Sequence, residues 1–310
     1  MSPKNFLMRR RSFLQSLCGA GLVSLSRNFG MQQTGDLEKA FAEIRANLLD
    51  MVNEERAVAK VPLVGRDKLA EQVATQHAID MVTGDFVSHW GRDGLKPYHR
   101  YSFAGGTAAT QENVSAADNT WSTRVQDLKQ DTAYLHVRLY QETAPNDGHR
   151  KTILEPEHTH VGFGIAVEQL RLRVVELFVA KYVEVKPFAR VAKPGARIMF
   201  AGKMLTPEYL LDSVEVFYEP LPRAPELSWL RETRSYALPA ESRVLWPKLP
   251  PPFVYADKSV AMVKLENDGS FSTPVTLYHH EPGIYTIVTW IKHLKAEKAF
   301  PATEVCVRAQ

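Results

Sequence analysis

The chain has 310 residues, of which 45% are hydrophobic and 24% charged, with a net charge of +3. This is enough for a substantial core, allows one to three domains and excludes wholesale disorder. The charge is too mild and too dispersed for a nucleic-acid binder, which needs clustered Lys and Arg.

The first thirty residues read as an export signal. Arg10 and Arg11, followed by Ser12, Phe13 and Leu14, match the twin-arginine pattern, and an apolar run from Leu17 to Leu25 comes next. A positive segment ahead of a short apolar one is a leader, too short to anchor in a bilayer. Residues 1–30 are therefore expected to be a removed signal peptide, with a cleavage site at Ser24 and Ser26, and the mature protein to be periplasmic or secreted. No other stretch reaches roughly 18 apolar residues, so no transmembrane segment is expected in the mature chain. Cys18 falls in the leader. Cys306, within the alternation Glu304-Val305-Cys306-Val307, reads as a buried strand residue, which leaves no internal disulfide.

Leu37, Phe41, Ile44, Leu48 and Val52 recur at helical spacing and predict a helix over 37–60. Asp67 is placed to cap a second helix with Leu69, Val73 and Met81 on its apolar face and Gly84 at its end. His77 reads as a packed residue of that helix. Residues 91–120 read as loop, with Gly91, Gly94, Pro97, Gly105 and Gly106. A third helix is expected from 123 to 142 through Val125, Leu128, Leu135 and Leu139. The period then changes. Val161, Phe163, Ile165 and Val167 alternate with Gly162, Gly164 and Ala166, which predicts a strand closely approached on its glycine face. Residues 172–185 continue as a strand partner or pair. Helices first and sheet afterwards give an α+β domain over 37–185.

Near Pro187 the composition shifts to short alternating runs separated by proline-bearing turns. Val214, Val216 and Tyr218 form one run, 260–265 another, and Asn267-Asp268-Gly269 a turn. Pro282-Gly283 opens a strong strand over 284–290, and 303–308 is the last one. The only helical segment expected here is 207–211. A second domain over 190–310 is therefore predicted as an all-β, immunoglobulin-like sandwich.

Four segments hold the residue types that carry chemistry: Ser88-His89-Trp90, Gln111-Glu112-Asn113-Val114, Tyr140-Gln141-Glu142 and Gly148-His149-Arg150. They occur in order with Val52-Asn53-Glu54-Glu55-Arg56 before them and Ile153-Leu154 and Val161-Gly162-Phe163-Gly164 after them. In this order the chain resembles the bacterial branch of the CAP superfamily, which includes cysteine-rich secretory proteins, insect venom antigens and plant pathogenesis-related proteins. The resemblance covers residues 43 to 185, without the disulfides of the eukaryotic pattern.

The resemblance implies a three-layer α-β-α sandwich with a wide cleft lined by two His and two Glu, which in some members hold a divalent metal. By position these are His89, Glu112 and His149, with Glu142, seven residues before His149, as the second Glu. His89, His149 and Glu112 are the implied metal ligands. Imidazole and carboxylate suit zinc, and two carboxylates in one cleft should titrate together with their neighbours. His160 is a further cleft candidate: it alternates with His158 at a strand start, so both can face one side, the other reading being a solvated strand end. Trp90 and Tyr98 read either as cleft wall or as core.

No nucleophile elbow, zinc-protease, P-loop or paired Cys-x-x-Cys motif occurs, and no residue is assigned a catalytic role. The expected function is binding of a divalent metal, lipid or small ligand in the cleft. The second domain would contact the cell envelope or a protein partner. The alternative is a hydrolase dependent on a metal or on a His/Glu pair.

Overall fold

The computed structural model describes residues 19–310, apart from 119, 121–123, 250 and 257–259, with side chains described from residue 38 onward. The export-signal residues Arg10, Arg11, Phe13 and Leu14, and Cys18, lie outside the described residues. Contacts divide the chain into two compact units, Met1–Glu43 and Ile44–Gln310. The described part of the first is helical: helix α1 (Gly19–Ala59) starts well before the predicted residue 37. No proline interrupts 19–59, so nothing removes a backbone donor along the way. Among the described residues no helix is long and apolar enough to cross a membrane.

The second unit continues from Ile44 in α1 through β1 (Gly65–Arg66), α2 (Lys68–Gly84), α3 (Pro97–Phe103), β2 (Ala109–Asp118), α4 (Val125–Tyr140), α5 (Gly148–Leu154), β3 (His160–Glu168) and β4 (Arg171–Ala180). Asp67 caps α2 as predicted, its carboxylate accepting from Ala70 N at 2.6 Å. The residue that stops α2 is not Gly84 but Asp85, which adopts the left-handed conformation at φ 52. The region predicted as loop over 91–120 contains both α3 and the ten-residue β2.

β1, β3, β4 and β2 form a four-stranded sheet in that order. A Cβ on Gly162 would lie 2.1 Å from the backbone of Glu71, and one on Gly164 2.1 Å from that of Ala74, so the glycines let α2 press directly onto β3. Leu177 and Val179 of β4 bury against Ala70, Ala74 and Met81 of α2. The neighbouring Glu176 points to the other face, where His136 of α4 meets it. A helical layer therefore lies on each side of the sheet, giving the three layers expected.

The remaining strands are β5 (Val183–Val185), β6 (Val191–Ala192), β7 (Arg197–Met204), β8 (Tyr209–Pro220), β9 (Ser242–Pro247), β10 (Ala261–Leu265), β11 (Ser270–Thr276), β12 (Gly283–His293), β13 (Phe300–Pro301) and β14 (Val305–Ala309); a short helix α6 (Leu227–Leu230) lies between β8 and β9. The helix expected at 207–211 is absent, because Tyr209 begins β8, whose alternating residues bury Leu211, Val214 and Val216. The strands run β5-β7-β11-β10-β9-β8-β12-β14-β6, with β13 beside β12. Among the described residues the halves of this path join through the parallel pair β9–β10, which matches Ala261 with Trp246 and Val263 with Pro247. Phe200, Phe271 and Val275 from one half share a core with Val216, Tyr285, Ile287 and Val305 from the other.

The two sheets are also fastened to each other. Ala109 and Ala180 of the first sheet join the core of the second. Tyr98 of α3 packs with Ile284 and with Cys306, which is buried in the last strand as expected. The start of β2 has donors taken by the segment between β13 and β14: Ala109 N donates to Ala302 O at 3.1 Å, and Thr110 N to the Glu304 carboxylate at 2.8 Å. An edge strand with open donors would otherwise invite foreign pairing.

Candidate functional site

Glu112 lies on β2 opposite Leu177 and faces the α2–α3 layer. His89 comes to it from the loop after α2, its Nδ1 3.0 Å from Glu112 Oε1. A carboxylate oxygen only accepts, so Nδ1 carries the proton and Nε2 is left bare in the neutral ring. The other oxygen, Oε2, accepts from Arg100 Nη2 at 2.6 Å. Arg100, on α3, also holds the loop by donating to the carbonyls of His89 at 2.7 Å and Leu95 at 2.9 Å. Behind them, buried His77 of α2 places Nε2 2.8 Å from Ser88 O and 3.9 Å from Glu112 Oε1.

Charges in this cluster are set by burial and by Arg100. Burial alone would raise the Glu112 pKa, but the guanidinium and the His89 hydrogen bond overcome it and bring it to about 2. Burial, helped by Arg100, lowers His77 to about 4, so that ring is neutral at pH 7. Glu112 is thus a buried, ionised carboxylate whose two oxygens are both engaged.

The second pair stands at the start of α5. His149 Nδ1 is 2.6 Å from Glu142 Oε1, and His149 N donates to Glu142 Oε2 at 3.1 Å. Glu142 is therefore the partner of His149, in the register expected. The His149 side chain is 35% exposed, against 13% for His89, so the second imidazole is the more open of the two. The pairs are connected through β2: Asn113, next to Glu112, turns to the opposite layer and donates to His149 O at 3.2 Å.

The implied ligand set is only partly assembled. Among the described residues no three His, Cys, Asp or Glu side chains are grouped as a metal ion requires. Glu112 is spent on His89 and Arg100, and the guanidinium beside it disfavours a second cation there. What the chain offers a metal is two imidazole nitrogens, each backed by a carboxylate on the other ring nitrogen.

His160 does not join them. It pairs with Gly65 of β1 and with Val179 of β4, whereas β2 lies on the far side of β4. That is two strand spacings, about 10 Å. Its Nδ1 meets Thr159 Oγ1 at 2.9 Å. His158 is buried and stacks on Phe178 with ring centroids 5.1 Å apart, so the two histidines face different surroundings. Tyr98 is core, whereas Trp90 packs edge-on against Trp229 at 5.2 Å.

Sequence reading missed three groups. Arg100 carries no motif that points to Glu112. Tyr236, from the connection between β8 and β9, accepts from Glu112 N at 3.0 Å and sets its ring edge-on to His89 with centroids 4.9 Å apart. The third is a buried cluster on the opposite face of β2. There His136 Nδ1 meets Glu176 Oε1 at 2.6 Å and its Nε2 meets Glu55 Oε2 at 3.0 Å, while Asn113 donates to Glu176 at 3.1 Å. Burial opposes a charge on His136, but the two carboxylates outweigh it and raise the ring to about 10. His136 lies on the buried stripe of α4 with Leu128, Thr132 and Leu139, and that spacing was the available signal.

Residues 49–182 match the Cysteine-rich secretory protein family, CAP. This segment is a CAP-superfamily domain. Two solved structures are similar to the chain over part of its length. One is an extracellular protein containing an SCP domain from Bacillus anthracis str. Ames, with 20% identity, 45% of this chain and 41% of that chain covered, and a TM-score of 0.34. The other is an outer surface protein of Borrelia burgdorferi, with 17% identity, 43% of this chain and 90% of that chain covered, and a TM-score of 0.34. The chain thus spans about two fifths of the first structure's length. No curated protein sequence matches it. His89, Glu112, Glu142 and His149 all fall within the CAP domain, whereas Tyr236 does not.

Proposed function

We propose that the chain is an exported binding protein whose CAP domain captures a small polar ligand, a divalent cation of the zinc type, through His89 and His149. The observation that carries this reading is the carboxylate set behind each of the two rings. Each has Nδ1 tied to its own glutamate, at 3.0 Å for His89 and 2.6 Å for His149. A carboxylate behind an imidazole fixes the tautomer and raises the basicity of the outward nitrogen, which is how ligating histidines are commonly held. Glu112 and Glu142 act in this reading as orienting groups and not as ligands.

A hydrolase would need a nucleophile or an activated water, and Ser88 gives little support for the first because its Oγ accepts from Trp90 N at 3.1 Å. A lipid would need a broad apolar wall, and the surroundings of His89 are instead Glu112, Arg100 and Tyr236. The strands beyond residue 183 would serve as the contact to envelope or partner.

Elemental analysis of the purified chain, followed by titration with Zn²⁺, tests the proposal. The expected result is bound metal in the parent chain and its loss in both His89→Ala and His149→Ala. No bound metal, together with an unchanged melting temperature on adding Zn²⁺, overturns it.

A further inference from the structure

β8 and β9 are antiparallel neighbours, pairing Val214 with Leu245 through to Phe217 with Ser242. An ordinary hairpin joins such strands with two to five residues, whereas residues 221–241 make a connection of about twenty. It does not stay over its own sheet. It leaves the C-terminal strands and runs over the α2–α3 face of the CAP domain, outside the stretch that matches the family.

The excursion is anchored at several points. Arg231 Nη2 donates to Asp85 Oδ2 at 2.6 Å and its Nε to Asp85 O at 2.9 Å. Leu230 is buried in the core around α2, and Trp229 meets Trp90. At the other end Ala237 O accepts from Lys96 Nζ and from Tyr98 Oη, both at 3.4 Å. Between these anchors, Tyr236 sits on the His89–Glu112 pair.

We infer that the 221–241 connection is a cover for the His89 half of the site and that Tyr236 is its gate, the residue deciding what reaches His89 Nε2. This rests on the reading of His89 as a ligand-binding residue. The cover restricts that half to small ligands such as a hydrated cation and keeps extended chains out. His149 stands outside it, and its greater exposure agrees with that division. Long connections with their own anchors are usually functional, and this one places its aromatic tip on a residue of the site.

The test compares chemical modification of the two rings by diethyl pyrocarbonate, followed residue by residue by mass spectrometry, in the full chain without added metal. Modification of a covered ring follows the fraction of time the cover is open. Tyr236→Phe removes only the hydroxyl bond to Glu112 N and should raise the His89 rate about fivefold. Tyr236→Ala should raise it further, with the His149 rate unchanged in both. An unchanged His89 rate in Tyr236→Phe with the parent melting temperature overturns the inference. So does an equal rise at both rings, which would report general loosening. The readout needs no ligand, so the cover can stand even if zinc binding fails, and fail even if zinc binding stands.

Discussion

His89 and His136 lie on opposite faces of β2, with His149 on the His136 side where Asn113 donates to its carbonyl, and the three rings use the same residue types for opposite ends. His136 has both ring nitrogens engaged, by Glu176 at 2.6 Å and Glu55 at 3.0 Å, and its side chain is sealed from solvent. His89 and His149 each have one nitrogen engaged and one bare. A His/Glu pair is therefore not itself a site. What separates scaffold from site is whether the carboxylates use up the imidazole or merely aim it.

Removing the saturated ring should have the largest effect. His136→Ala leaves Glu176 buried without its cation, and breaking such a pair costs about 3–5 kcal/mol. His89→Ala and His149→Ala should cost much less and act on ligand binding instead. Urea unfolding of the three variants makes the comparison. The pH dependence has a defined sign. The folded ring titrates near 10 and the ordinary value is 6.5. The stabilisation from the charged ring is thus complete below about pH 6.5, shrinks as pH rises and is gone above about pH 10. Comparable losses in all three variants would erase the distinction between scaffold and site.

A second contrast lies along the edge of β2, between two buried carboxylates shifted in opposite directions. Glu112 has Arg100 beside it and falls to about 2. Among the described residues Glu304 has Thr110 N and Oγ1 as its donors, and burial pushes it up to about 7. The folded protein holds the Glu304 proton more tightly than the unfolded chain does, so this group favours folding at low pH and loses that contribution as pH rises from 4.5 through 7. Glu304→Gln keeps the acceptor for Thr110 and removes the titration. Relative to the parent, the variant should gain stability between pH 5 and pH 8, by at most about 3 kcal/mol. Denaturant unfolding at the two pH values reads this directly, and a difference that does not change with pH removes Glu304 from the account.

These contrasts also explain which parts of the fold could be read in advance. The cap at Asp67 and the Gly162/Gly164 alternation were legible because a single local cause produces each. β2 was not. Its sequence ATQENVSAAD lacks the apolar alternation of a strand because the residues it buries include Glu112 and Asn113, which serve the site and the His136 cluster. His89, Glu112, Glu142 and His149 were legible through ordered motifs. Arg100 and Tyr236 were not, since nothing local connects Arg100 to Glu112, and Tyr236 arrives from a connection more than a hundred residues away. The same limit misplaced His160. Two alternate histidines at a strand start look like a site, but the position of the strand within the sheet is a long-range property.

His160 gives the smallest predicted effect and the most specific check on that point. Its ring contacts Thr159 and lies close to Gly65, and burial together with nearby Lys181 lowers its pKa. None of these contacts is buried deeply enough to matter much, so His160→Ala should change stability by less than about 0.5 kcal/mol. It should leave zinc binding and the modification rate of His89 unaltered, because β4 stands between β3 and β2. Loss of zinc binding in His160→Ala would shift the ligand to the β1–β3 side of the sheet. His89 and His149 would then be no more than structural fasteners, as His136 is between α4, β4 and α1 in the interior.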